Sequence, residues 1–384
     1  MIQVHSQRAI ATSWLERYAN QSALFACVLG FTETGLIPDI SAAGATPTDR
    51  EYTAIADAEF LYWGPQPQPK FPLPPLVAGV SPALISKAAI TACHMPLMLF
   101  DAGLRHPPTV PYIALGGMAA RCVSTGAALD LAVVQHLLQV GMEWGHKLAA
   151  QDSHGYLVLG ECVVGGTTTA LGVLLGLGWK AHDKVNSSHV QCNHAQKLEL
   201  VQQGLARSPL GSLVQPHRRN DTAPMGITQG AVDPFQVVAA VGDPMQIAVA
   251  GMAIAASQHK GVLLAGGTQM LAVYALARTI AQHQGYGWAS DRIVVGTTRW
   301  VVDDPSGDTV GLADLLQAPL LASPLSFATS RMPELRAYEV GYVKEGVGAG
   351  GCAIAAHLMG LSCAQLQHKV EQLLADRLRI EQHH

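Results

Sequence analysis

Tyr156-Leu157-Val158-Leu159-Gly160-Glu161-Cys162-Val163-Val164-Gly165-Gly166-Thr167-Thr168-Thr169-Ala170-Leu171-Gly172 is an apolar strand running into a glycine-rich turn and then into a helix whose first turn carries three threonines. That geometry gathers backbone N–H groups, hydroxyls and the positive end of a helix dipole around one point, which suits a phosphate. The pattern approaches the triphosphate-binding loop Gly-x4-Gly-Lys-Ser/Thr, but Gly166 stands where the lysine belongs. Without the lysine, the turn suits a smaller phosphate ester better than triphosphate hydrolysis. The competing reading is a tight strand-to-helix turn with no ligand.

Working outward, short β-branched or leucine-rich runs recur, each ending in Gly, Asp or Thr before a helical pattern. They are Leu97–Gly103, Tyr156–Glu161, Val262–Gly267 and Ile293–Thr298. Strands alternating with helices predict an α/β fold, a mostly parallel, Rossmann-like sheet with helices on both faces. In such sheets ligands sit beyond the carboxyl ends of the strands, where these Gly, Asp and Thr residues collect. Asp243-Pro244 reads as the N-cap and first residue of a helix through Met245–His259. Thr268–Gln284 reads as a second helix and Cys363–Glu381 as a one-sided terminal one. Arg8–Leu29 is also expected to be helical. Pro65–Pro75, with six prolines, predicts a rigid extended loop.

Composition bounds the function. Of 384 residues, 49% are apolar and 14% charged, so much of the chain is expected to be buried and a homodimer is expected. A net charge of −4, with no basic cluster longer than Arg218-Arg219, argues against nucleic-acid binding. The seven cysteines form no Cys-x-x-Cys pair, which disfavours a disulfide framework or structural zinc. Met1–Ser6 lacks the layout of a signal peptide, and runs such as Ala248–Ala256 fall short of the ~18 residues of a membrane span. A reduced cytoplasmic protein that does not engage a membrane is expected.

A second signal is Lys344-Glu345-Gly346-Val347-Gly348-Ala349-Gly350-Gly351, which joins one carboxylate to a run of glycines and an apolar helix. Glycines admit close backbone approach to a ligand, and partial desolvation raises a carboxylate toward general-base duty. A surface glutamate in a flexible loop is the plainer alternative. Glu161 reads either as a contact to a ribose hydroxyl or amide, or as a cap on its own backbone. Asp101 weighs toward a structural turn. Ser187, Ser188 and Lys197 follow the first helix and could complete a phosphate site, although a lone lysine is more often on the surface. His182, His189, Cys192 and His194 match no zinc spacing, so no metal is assigned. Gly266-Gly267-Thr268-Gln269 repeats the strand, glycine pair and hydroxyl theme, suggesting one ligand across adjacent strand ends.

In this order, Gly160-Glu161, Gly165-Gly166-Thr167-Thr168-Thr169, Lys197, Gly242–Gln246, Ala265–Gln269 and Lys344–Ala349 resemble nicotinate-nucleotide:dimethylbenzimidazole phosphoribosyltransferases. Gly30–Gly35 and Ile40–Ala45 look like the family's divergent cyanobacterial and archaeal branch. The resemblance implies a large α/β domain over 30–345, a small helical domain from 1–29 and 346–384, and a homodimer. It implies transfer of phosphoribose from nicotinate mononucleotide to a benzimidazole nitrogen with inversion at the anomeric carbon, without a cofactor. Glu345 then corresponds to the catalytic base. The Gly165–Thr168 turn corresponds to the mononucleotide site and Lys197 to a lysine near its phosphate. Gly346 and Gly348 are expected substrate contacts from the glycine run beside Glu345. Departures from the family pattern, Gly266-Gly267 for Asp-Gly and Gly166 for asparagine, fall where substrates bind, so a purine is a second acceptor to consider. A nucleotide-binding or regulatory protein without transfer is the alternative function.

Overall fold

A computed structural model describes residues 1–211 and 232–382. Their eight strands are β1 (Gln3–Ser6), β2 (Ala23–Gly30), β3 (Leu97–Gly103), β4 (Ile113–Ala114), β5 (Tyr156–Cys162), β6 (Gly261–Ala265), β7 (Ile293–Thr298) and β8 (Leu320–Ser323). They form one sheet in the order β1-β8-β7-β6-β5-β2-β3-β4. Every pairing is parallel except β1 with β8. The α/β, parallel-sheet expectation holds, with one antiparallel edge strand added.

The α-helices are α1 (Arg8–Tyr18), α2 (Pro47–Trp63), α3 (Ala83–Ala92), α4 (Leu131–Ala149), α5 (Gly166–Gly176), α6 (His194–Arg207) and α7 (Pro234–Val241), then α8 (Pro244–Ser257), α9 (Thr268–Gln284), α10 (Arg299–Val302), α11 (Thr309–Leu316), α12 (Pro333–Arg336), α13 (Ala349–Leu358) and α14 (Cys363–Gln382). Side chains alternate across the pleat, so each central strand feeds two cores. Leu24, Ala26, Val28, Leu157, Leu159, Val262 and Leu264 pack under α4, α5, α7, α8 and α9. Phe25, Cys27, Leu29, Tyr156, Val158, Leu263 and Val294 pack under α1, α2, α3, α13 and α14.

The expected helix over Arg8–Leu29 is corrected to α1 followed by β2. Asn20 takes a left-handed φ of 59° between them, and all eight residues of β2 are buried. A run with no polar position cannot show water a helical face, and a strand covered on both sides needs none. The divide expected at residue 29/30 falls at the last residue of β2. The chain ends thus add β1 and β2 to the same sheet, besides the helices α1, α13 and α14.

The start of α8 follows the sequence closely. The Asp243 carboxylate accepts from Gln246 N at 3.1 Å, and the Gln246 side chain accepts from Asp243 N at 3.0 Å, a reciprocal cap before Pro244. Residues 64–82, including Pro65–Pro75, form no regular element. Among the described residues no helix is long and apolar enough to cross a membrane.

Candidate active site

The parallel strands deliver their carboxyl ends to one edge of the sheet, and there a cavity of about 450 Å³ opens. Its walls come from the end of β5 and the turn that follows it (Glu161–Thr167), the start of α9 (Gly267–Gln269), and the segments 186–190, 342–347, 39–45 and 74–78.

The turn after β5 is built around two glycines. Gly165 has φ 85°, and a Cβ on it would lie 2.7 Å from Gly35 N; a Cβ on Gly166 would lie 1.6 Å from Gln269 Oε1. Much of the turn's donor capacity is already used. Gly166 N donates to Val163 O at 3.1 Å, while Thr168 N and Thr169 N donate to Gly165 O at 2.9 and 3.4 Å. The Thr169 hydroxyl donates to Asp243 Oδ2 at 2.5 Å. The turn therefore offers a phosphate fewer N–H groups than its sequence suggests.

Glu161 reaches the cavity from the end of β5 and is 1% exposed. Its Oε2 accepts from Val163 N at 3.1 Å and its Oε1 from Gln269 Nε2 at 2.8 Å. The capping reading is met, and the side chain also faces the cavity, where the ligand reading would need it. Burial, then the carboxylates of Glu345 and Asp243, push it up to about 8, so it carries a proton at neutral pH.

Glu345 faces the same cavity. One oxygen accepts from Thr297 Oγ1 and Thr298 N, both at 2.8 Å; the other accepts from Gly350 N at 3.0 Å and Gly346 N at 3.2 Å. Burial raises its pKa and the four donors oppose the rise. The carboxylate is thereby fixed in position, and an incoming N–H would compete with the longest of these bonds, that from Gly346.

The backbone around it is unusual. Val343, Lys344 and Val347 have φ of 67°, 65° and 55°, a region costly for residues with a side chain and more so for β-branched ones. Contacts from elsewhere hold Lys344 and Val347 in place. Lys344 Nζ donates to Asp304 Oδ2 at 2.6 Å and to His189 O at 2.7 Å, forming a buried ion pair. Thr298 Oγ1 donates to Lys344 O at 2.5 Å, and Ser86 Oγ donates to Val347 O at 2.7 Å.

The cavity collects Glu161, Gly165, Gly166, Thr167, Ser187, Ser188, Gly267, Thr268, Gln269, Glu345 and Gly346. Ser187 Oγ is buried without a partner at this wall, whereas Ser188 Oγ is held by Ala42 N at 2.8 Å. Thr168, Gly266, Gly348 and Lys197 are not in the lining. Lys197 lies fully buried behind the 185–188 segment, donating to Val185 O at 2.6 Å and Asn186 O at 2.8 Å. Burial draws its pKa down to about 8. Lys197 supports the segment that carries Ser187 and does not reach into the cavity.

Asp101 caps its own turn, accepting from Gly103 N and Leu104 N at 2.9 Å. His189 and His194 turn to the carbonyls of Asp39 and Ser306. Groups that could hold a metal ion were not found among the described residues.

Sequence reasoning missed Arg50, Asp57 and Ser81, all buried at the cavity. Arg50 donates to the carbonyls of Gly35, Ile37, Ser41 and Gly44, at 2.6 to 3.3 Å, and so shapes the 35–44 segment. A readable signal existed for Asp57: a carboxylate inside the apolar run Ala54-Ile55-Ala56-Asp57-Ala58.

Residues 85–303 match the model of a family described as Phosphoribosyltransferase (DBI_PRT). The chain is 63% identical to a UPF0284 protein of Cyanothece sp., over 93% of this chain and 92% of that protein. It is 57% identical to a UPF0284 protein of Trichodesmium erythraeum, over 99% of this chain and all of that protein. Two solved structures from Thermus thermophilus share the fold. One, described as a nicotinate-nucleotide-dimethylbenzimidazole phosphoribosyltransferase, has a TM-score of 0.54 at 17% identity and covers 90% of this chain and 84% of that one. The other, described as CobT, has a TM-score of 0.55 at 16% identity and covers 92% and 96%.

Proposed function

The chain belongs to the phosphoribosyltransferase family whose model it matches, and from that premise we propose that it moves phosphoribose from nicotinate mononucleotide to a ring nitrogen of a benzimidazole or purine. The product is an α-riboside 5′-phosphate of the kind used as a cobamide lower ligand. The observation that carries this reading is the pair of buried carboxyl groups, Glu161 and Glu345, facing one cavity at the strand ends.

In this reading the acceptor nitrogen attacks the anomeric carbon from the face opposite nicotinate. A new C–N bond forms as the old one breaks, and the electron pair returns to the pyridine nitrogen, neutralising its positive charge. The proton on the acceptor's other nitrogen passes to Glu345. Fixed geometry is the protein's main contribution, because the four donors to Glu345 leave it little to reorganise. Protonated Glu161, turned toward the same space, is suited to donate a hydrogen bond to a sugar oxygen. The unpartnered Ser187 hydroxyl and the Gly165–Thr167 turn are the groups best suited to the phosphate.

The four bonds to Glu345 also favour a second reading, in which the cavity binds the mononucleotide and no transfer follows. Incubating the protein with nicotinate mononucleotide and a panel of benzimidazoles and purines separates the two. Mass spectrometry should detect a riboside phosphate of one acceptor together with free nicotinate. Saturable mononucleotide binding with no such product would select the second reading.

A further inference from the structure

We infer that Asp57 is a specificity-determining residue of the acceptor site: its carboxyl group takes a hydrogen bond from an N–H or amino group on the ring edge remote from the ribose, so that the preferred acceptors are bicyclic nitrogen heterocycles carrying such a donor rather than purely alkylated ones. This rests on the transfer reading above for the identity of the ligand as an acceptor base.

Asp57 sits on α2 and is 3% exposed, yet it lines the cavity. Its Oδ1 accepts from Ser81 Oγ at 2.7 Å, and its Oδ2 accepts only the weak S–H donor of Cys162, at 3.3 Å. Neither partner is a cation. A carboxylate offers about four acceptor positions, so capacity remains on the cavity side. Such a group is expensive to bury unless something donates to it. Burial accordingly pushes Asp57 up to about 6.

The surroundings identify what would donate. Pro74, Leu76, Val77, Ala78 and Pro82 give this part of the cavity an apolar surface suited to a flat ring. Asp57 and Glu345 line the same cavity. A Cβ on Gly346 would meet Pro82 Cγ at 3.0 Å, next to Ser81. The Tyr338 hydroxyl donates to Val80 O at 2.8 Å, and the carboxyl groups of Glu345 and Asp57 both help hold its proton in place. A ring lying on that apolar surface with its N–H toward Glu345 has its remaining edge free to meet Asp57. A methyl there leaves the carboxyl with only Ser81 and the weak Cys162 donor, whereas an amino group adds a strong one, and sites with buried polar groups discriminate against analogues lacking the partner.

The test uses the full chain saturated with nicotinate mononucleotide, and measures both affinity by calorimetry and product by mass spectrometry. The probes are aminobenzimidazole, dimethylbenzimidazole and adenine. The wild-type protein should bind aminobenzimidazole at least about tenfold more tightly than dimethylbenzimidazole. Asp57→Leu should abolish or invert that ratio, and the near-isosteric Asp57→Asn should lower it at least about threefold. If the leucine variant does not fold, the asparagine ratio decides. A wild-type preference for dimethylbenzimidazole, or a ratio unmoved in the folded variants, overturns the inference. Product formed with an unmoved ratio would sink the role of Asp57 alone. A ratio that shifts as expected with no product from any probe would sink the transfer and leave the selectivity standing.

Discussion

The turn at Gly165–Thr169 and the segment at 341–348 are both glycine-rich and both reach the cavity, yet they are held in opposite ways. The turn places a positive φ only on Gly165 and closes through its own backbone hydrogen bonds. The second segment puts Val343, Lys344 and Val347 in the left-handed region. Lys344 N donates to Tyr342 O at 2.8 Å and Glu345 N to Val343 O at 2.9 Å, the two-residue reach of γ-turns, whose positive-φ form is rare and strained. Side chains from β7, α3 and the 304 region hold it there. A self-contained turn can be read from its residues. A segment imposed by its neighbours cannot, and the strain it carries is a mark of a position that matters to function.

Glu345→Gln gives the largest expected effect. It keeps the shape and removes the proton acceptor, so turnover should fall by about 10²–10⁴ while mononucleotide affinity changes little. Wild-type turnover in that variant would remove Glu345 from the chemistry and reduce the second segment to scaffold.

Lys344→Met breaks the buried pair and leaves Asp304 without its cation. Loss of one partner of such a pair costs about 3–5 kcal/mol, to be read by denaturant unfolding. A loss below about 1 kcal/mol would mean that the segment holds its shape without the pair.

On the side of the turn, Glu161 ties its stability to pH. Its folded pKa of about 8 lies above the ordinary carboxylate value, so the native state binds more protons than the unfolded one between those values. Stability from this group is therefore full at low pH and is lost as pH rises through about 8. Glu161→Gln should flatten the fall in melting temperature between pH 5 and 8. An unchanged slope would assign the fall to other groups.

Val343→Gly is the mildest test. Relief of the left-handed strain, about 1–2 kcal/mol, is offset by the extra chain entropy of glycine, about 0.5–1 kcal/mol. A small stabilisation should appear as a slightly higher melting temperature. A clear loss would show that valine packing, and not strain, dominates there.

What was legible in the sequence follows the same divide. The strands at Leu97, Tyr156, Val262 and Ile293, the Asp243 cap and the α9 boundaries are local patterns, and each is found where its residues placed it. The run Ala23–Leu29 was misread because seven apolar residues lack a period that separates a helix from a fully buried strand. The family resemblance sets Lys197 near the phosphate, yet two carbonyls behind the cavity wall take its ammonium, a placement that local sequence does not encode. Asp57, Ser81 and Arg50 come to the cavity from segments far from the glycine motifs, and only the tertiary packing of α2 and α3 against those motifs brings them in.

The antiparallel edge of the sheet has a consequence for synthesis. β1 leaves the ribosome long before its partner β8, with Ser6 opposite Leu320 and Gln3 opposite Ala322. At roughly 5–20 residues per second, β1 waits about 15–60 seconds for the strand it pairs with. Trp14 is in the same position, since its indole N–H donates to Arg292 O at 2.9 Å. The central strands β2, β3 and β5 can meet much earlier. The nascent chain can therefore pair its central strands well before it fastens β1, which stays without its partner until β8 has been made.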